Sequence, residues 1–226
     1  MKTGTFIAGI IGIYLVSGMS LQSAEETTKL HARSGSKMRI EGTSIIHDWQ
    51  VESKIIGGTL DVGPNFPITP GQDVKPGKID VHGVARISVR SLQSVEKNGS
   101  HYSDTMDDSM WKKLKLKEFP NIFYYPSELS LKEPPKSKDA PYLFDSKGDV
   151  VVAGVTNTVS MPVSVLPMAD NKVKISGTLN TKFSNFKIEP VYLVPGGTTF
   201  KTADEVKLIW DWVLAPNKSA AASASK

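Results

Sequence analysis

The chain has 226 residues, with 27 basic and 23 acidic side chains, a formal charge of +4 and 0 cysteines. The missing thiols exclude a disulfide framework, cysteine nucleophiles and thiolate zinc sites. So small a net charge argues against an anionic partner such as nucleic acid.

Lys2, an apolar run from Phe6 to Val16 and small residues at Ser23 and Ala24 give residues 1–24 the order of a secretory signal peptide. That run is shorter than the roughly 20 apolar residues of a membrane span. Cleavage after Ala24 is therefore expected, with release to the periplasm or outside the cell and no stable membrane span afterwards. Residues 25–36 read as a flexible leader and residues 37–214 as one folded domain. Residues 215–226, rich in Ala and Ser, read as a disordered tail with little to offset the entropy of ordering.

Strands are expected from Met38 to Trp49 and from Ser53 to Val62. A proline-containing insertion from Val62 to Pro76 follows. Ile79, Val81, Gly83, Ala85, Ile87 and Val89 then alternate with polar neighbours, the period of a strand with one dry face. Lys97-Asn98-Gly99-Ser100 is a turn signal. A helix from Met106 to Leu116 is expected, with Thr105 as its cap, Asp108 completing a capping box, and a stripe of Met106, Met110, Trp111 and Leu114. Lys112, Lys113, Lys115 and Lys117 are interleaved with leucines rather than stacking aromatics, which is the pattern of a solvated helix face.

Beyond Pro120, strands are expected from Ile122 to Leu131 and from Lys147 to Ala153, with a second proline-rich insertion between Lys132 and Pro141. Val159, Met161, Val163 and Val165 alternate again. After the turn at Ala169-Asp170-Asn171, so do Val173, Ile175, Gly177, Leu179, Thr181 and Phe183. Glu205 to Leu214 completes about eight strands, enough to close an antiparallel barrel around a slender ligand. A two-sheet sandwich satisfies the same alternation. Glycine and alanine on the dry faces fit either strong bending or an unfilled lumen.

No catalytic or metal site is expected. His31, His47, His82 and His101 lie far apart with no HExxH or similar spacing. His47 and Asp48 are strand neighbours, which point to opposite faces. His101, Ser103 and Asp104 are spaced too closely in a turn to define a nucleophile geometry. Gly196-Gly197-Thr198-Thr199 lacks the strand-loop-helix setting of a phosphate loop.

The ordered motifs resemble the YceI-like family of bacterial polyisoprenoid-binding proteins over about residues 38–214. They are the segment Gly42 to Trp49, then Met106 to Trp111 with Leu114-Lys115, then Glu118 to Ile122. Gly154 to Asn157 with Val159 and Met161 to Val163 follow, then Phe186 to Ile188 and Asp204 to Leu208. Asn157 stands where lysine is common in that family, and Asn185-Phe186 replaces the more frequent aspartate-phenylalanine pair. The resemblance implies an all-β fold: a single antiparallel eight-stranded lipocalin-like β-barrel with one short helix. It also implies an apolar interior that shelters an isoprenoid-type lipid, such as a polyprenyl lipid or quinone, with no required cofactor and no enzymatic mechanism.

Expected ligand-lining residues are Ile87, Val89, Val163, Val165, Ile175, Leu179 and Phe183, with Trp111, Phe123 and Trp210 forming an aromatic part of the wall. His47, His101 or the helix lysines would meet a polar head. Two competing readings remain: an interaction module with Trp210, Trp212 and Tyr192 in an outer patch, and a structural or stress-associated envelope protein without a specific ligand. The sequence leaves oligomeric state open.

Overall fold

A computed structural model describes residues 27–45, 47–189, 192–193 and 200–217. The expected signal peptide, the Gly196 to Thr199 loop and the tail from residue 218 lie outside the described residues. Alternating apolar positions build β1 (Thr28–Ala32), β2 (Lys37–Ser44), β3 (Trp49–Ser53), β4 (Gly57–Val62), β5 (Lys78–Ser88) and β6 (Gln93–Val95). After the helix α1 (Asp104–Lys113) come β7 (Asn121–Glu133), β8 (Tyr142–Val152), β9 (Val155–Pro167), β10 (Val173–Lys182), the short β11 (Tyr192–Leu193) and β12 (Phe200–Pro216). Among the described residues no helix is long and apolar enough to cross a membrane.

Eight strands form a closed antiparallel ring in the order β1, β4, β5, β7, β8, β9, β10, β12, and the pairing of β1 with β12 shuts it. Closure leaves no free edge within that ring. β8 turns into β9 through Ala153 and Gly154, which have φ of 50° and 82°. Two central residues with positive φ match the twist of a tight hairpin. β9 turns into β10 through Asp170 and Asn171, also left-handed, at the predicted turn.

Three strands of the meander are interrupted at one level. β1 and β2 lie successively along the same edge of β12 and are separated by Arg33 to Ser36. β3 and β4 are separated by Lys54 to Ile56, and β5 and β6 by a single 3-10 turn, Val89–Ser91. The Ser53 and Ser91 hydroxyls share a 2.8 Å hydrogen bond that ties two of these breaks together. Val213 N donates to Ser36 Oγ at 3.0 Å across the third. Beyond the breaks the sheet continues from β12 as β2, β3 and β6, and α1 covers its inner face.

Several expectations are corrected here. The leader is not loose throughout: it contains β1, because Leu30 is fully buried and pairs with both β4 and β12. Ala215 and Pro216 belong to β12 rather than to the tail. The first predicted strand ends at Ser44, since Ser44 N donates to His47 O in a reversal before β3. The helix begins two residues early: Ser103 caps it, accepting from Met106 N at 3.3 Å, and Thr105 lies inside it. The proline-containing insertion after Val62 packs as a floor to the barrel. Its Phe66 is fully buried, and Gln72 O accepts a hydrogen bond from the buried Tyr142 hydroxyl.

Candidate functional site

The inward faces of β5, β7, β8, β9, β10 and β12 leave a cavity of about 90 Å³ inside the closed ring. Its wall is almost wholly apolar and includes Met38, Leu60, Ile87, Phe123, Met161, Val163, Ile175, Leu179, Leu208, Trp210 and Trp212. Trp210 can lie flat against the wall because its cross-strand partner is Gly177. A Cβ at that glycine would stand 2.2 Å from the indole. Trp49 lies over Gly42 in the same way. Glycine under a tryptophan thus keeps a large ring from filling the interior.

One polar pair interrupts this wall. The Tyr124 and Ser146 hydroxyls are 2.8 Å apart. Burial pushes the Tyr124 phenol above the ordinary tyrosine range, and the Ser146 hydrogen bond partly opposes that shift.

A larger cavity of about 390 Å³ lies under α1, between the helix and the splayed sheet. Ile40, Trp49 and Val51 form one side of it, Met106, Met110 and Leu114 the helix side, and Phe183 and Ile188 a third. Trp49 and Phe183 stack with ring centres 6.1 Å apart. Its rim is polar, with His47, Tyr102, Ser103, Ser109 and Lys113. Leu208 lines the inner cavity and its cross-strand partner Ile40 lines the outer one, so the two spaces abut along β12 and β2. The outer volume falls within the roughly 300–1,000 Å³ of small-molecule sites, and the inner one is smaller.

Of the residues singled out from sequence, Ile87, Phe123, Val163, Ile175, Leu179 and Trp210 line the inner cavity, while Phe183 and His47 line the outer one. Four others line neither. Val89 lies in the 3-10 turn and packs into the core. Val165, fully buried and paired with Tyr142, belongs to the packed floor. The Trp111 indole donates to Leu92 O at 2.9 Å and lies 4.4 Å beneath the Arg90 guanidinium, which pins the helix to the breaks. His101 is a partner of Asp107.

Asp107 explains the start of the helix. Its carboxylate is buried, accepts from Ser94 N at 2.6 Å and contacts His101 Nε2 at 2.9 Å. With Asp104, these groups present ligand atoms within 4.8 Å of one another. The buried carboxylate is already committed to an amide and an imidazole, and the helix N-terminus beside it disfavours a cation. The arrangement is a clamp joining β6 to α1. His47 meets Asp48 through the backbone carbonyl, with Nδ1 at 2.7 Å, rather than through the carboxylate, so the pair is not an oriented general base.

Of the helix lysines expected to meet a polar head, Lys113 stands at the rim. Sequence reasoning missed Tyr102 and Ser109 there, and Met38, Leu208 and Trp212 in the inner wall. The three inner-wall residues stand on strands whose alternation signals their facing. The rim residues carry no such signal, because Tyr102 stands in the connection before the helix and Ser109 on a helix whose docking brings it to the site.

No family model and no curated protein matches the sequence. Among solved structures, BcnA of Burkholderia cenocepacia superposes with a TM-score of 0.57 at 17% identity, covering 79% of this chain and 95% of that one. A polyisoprenoid-binding domain from Saccharophagus degradans, implicated in plant cell wall breakdown, superposes with a TM-score of 0.57 at 9% identity. That match covers 85% of this chain and all of the other. A YceI protein of Campylobacter jejuni is also similar, with a TM-score of 0.46 at 16% identity, covering 74% and 84%. The first two likenesses show the fold: an antiparallel barrel of the lipocalin-like kind.

Proposed function

We propose that this chain is a YceI-like binding protein that encloses an isoprenoid-type lipid and catalyses no reaction on it. The observation that carries the reading is the pair of abutting apolar cavities under a methionine-lined helix. Methionines adapt to irregular apolar surfaces, which suits a cover over a flexible chain. Water release from the chain supplies the affinity, at roughly 25 cal/mol per Å² of apolar surface before ordering costs are subtracted. A polyprenyl lipid or a quinone is the candidate cargo, held across the two cavities.

The competing interaction module loses two of its three anchors, because Trp210 and Trp212 face the interior rather than an outer patch. Export by the segment 1–24 places the protein in the periplasm or outside the cell in this reading. The order of charge, apolar run and small residues there supports it.

Native mass spectrometry of protein purified from a cell envelope, followed by solvent extraction, tests the function. A stoichiometric prenyl lipid or quinone is the expected result. Repeated recovery without any ligand, together with failure to load from an envelope extract, would leave an interaction or structural role instead.

A further inference from the structure

Trp212 is 5% exposed and lines the inner cavity. Among the described residues its Nε1 is a buried side-chain donor with no hydrogen-bond partner. An unmet buried N–H is costly, and native proteins rarely leave one without purpose. The rim behaves differently. His47 Nδ1 meets the Asp48 carbonyl, Ser103 N donates to Ser94 Oγ, and Lys113 Nζ lies 3.8 Å from Glu189. His47, Ser103 and Lys113 thus each have a partner within the protein, whereas among the described residues the Trp212 donor has none.

We propose, resting on the lipid-binding reading, that the ligand is a neutral oxygenated amphiphile whose oxygen enters the barrel and accepts from Trp212 Nε1. Its hydrocarbon chain then occupies the larger cavity under α1. Neutrality follows from the wall: among the described residues no Asp, Glu, Lys, Arg or His lines the inner cavity, and an unpaired charge there would be strongly disfavoured. Orientation follows from size. About 90 Å³ takes a small head, while about 390 Å³ takes more of a chain. The eligible class is an alcohol or carbonyl-bearing lipid, and a diphosphate head is excluded from the barrel.

Two C15 probes differing in the oxygen, farnesol and farnesene, separate this inference from the reading beneath it. Binding to the full mature chain and to Trp212→Phe is measured by titration. The expected result is that the substitution weakens farnesol about three- to tenfold, the range of one net hydrogen bond, and leaves farnesene unchanged. Equal loss for both probes, or no loss for farnesol, overturns the proposal while lipid binding stands. Failure of the unaltered chain to bind either probe removes both. If Trp212→Phe does not fold, the Trp212 indole proton is followed by nuclear magnetic resonance in the unaltered protein. A downfield shift with farnesol but not with farnesene supports the proposal, and the same response to both overturns it.

Discussion

Gly177 shows how a single missing side chain shapes the interior. The position opposes Trp210 across β10 and β12, and a Cβ there would stand 2.2 Å from the indole. In Gly177→Ala the flexible indole has to swing away from the wall and into the lumen. The expected cost is about 1–3 kcal/mol, typical of overpacking, with a parallel loss of lipid loading. Urea titration and native mass spectrometry read the two effects. Gly63→Ala is the control, since among the described residues beyond its chain neighbours no heavy atom lies within 4 Å of where a Cβ would stand, and its stability is expected to stay within about 0.5 kcal/mol of the unaltered protein.

At the scale of the element, α1 is anchored at its start and along one side, and it presents its remaining face to the larger cavity. Ser103 caps it, Asp107 clamps it to β6, and Trp111 holds it to Leu92. Met106 and Met110 are thereby free of an anchoring role and line the space below. Met110→Trp is expected to fill part of that space and weaken loading of a C15 chain by about tenfold, equivalent to about 1.4 kcal/mol. The melting temperature should shift little, because the anchors are untouched. A large fall in melting temperature with unchanged loading would place Met110 in the helix's structural packing instead.

For the molecule as a whole, two buried phenols tie stability to alkaline pH. Burial raises the Tyr124 and Tyr142 hydroxyls above the ordinary tyrosine value, with Asp149 and Asp73 respectively adding to the shift. A raised folded-state value means that their contribution is fully present below the unfolded value of about 10 and is lost as pH rises through the folded values. Denaturation midpoints are therefore expected to fall as pH climbs past about 10. The doubly substituted Tyr124→Phe, Tyr142→Phe chain should show a shallower fall. An equally steep fall in that chain would assign the alkaline loss to other groups.

Alternation along β5, β9 and β10 determined, from sequence alone, those strands and which of their residues face the lumen, among them Ile87, Val163, Ile175 and Leu179. Facing on a strand follows a period of two that local composition records. The turns at Ala169 to Asn171 and Lys97 to Ser100 were legible for a similar reason, since Asp, Asn and Gly tolerate positive φ. Only the tertiary structure decided the rest. Leu30 reads as part of a loose leader until closure with β12 buries it, and Phe66 reads as loop until the barrel needs a floor. Val89 continues an alternating run, yet the aligned breaks turn it out of the strand. Trp111 and His101 lie near the site in sequence but are committed to anchoring α1. Closure, strand breaks and helix docking depend on contacts between residues distant along the chain, and such contacts leave no local period to read.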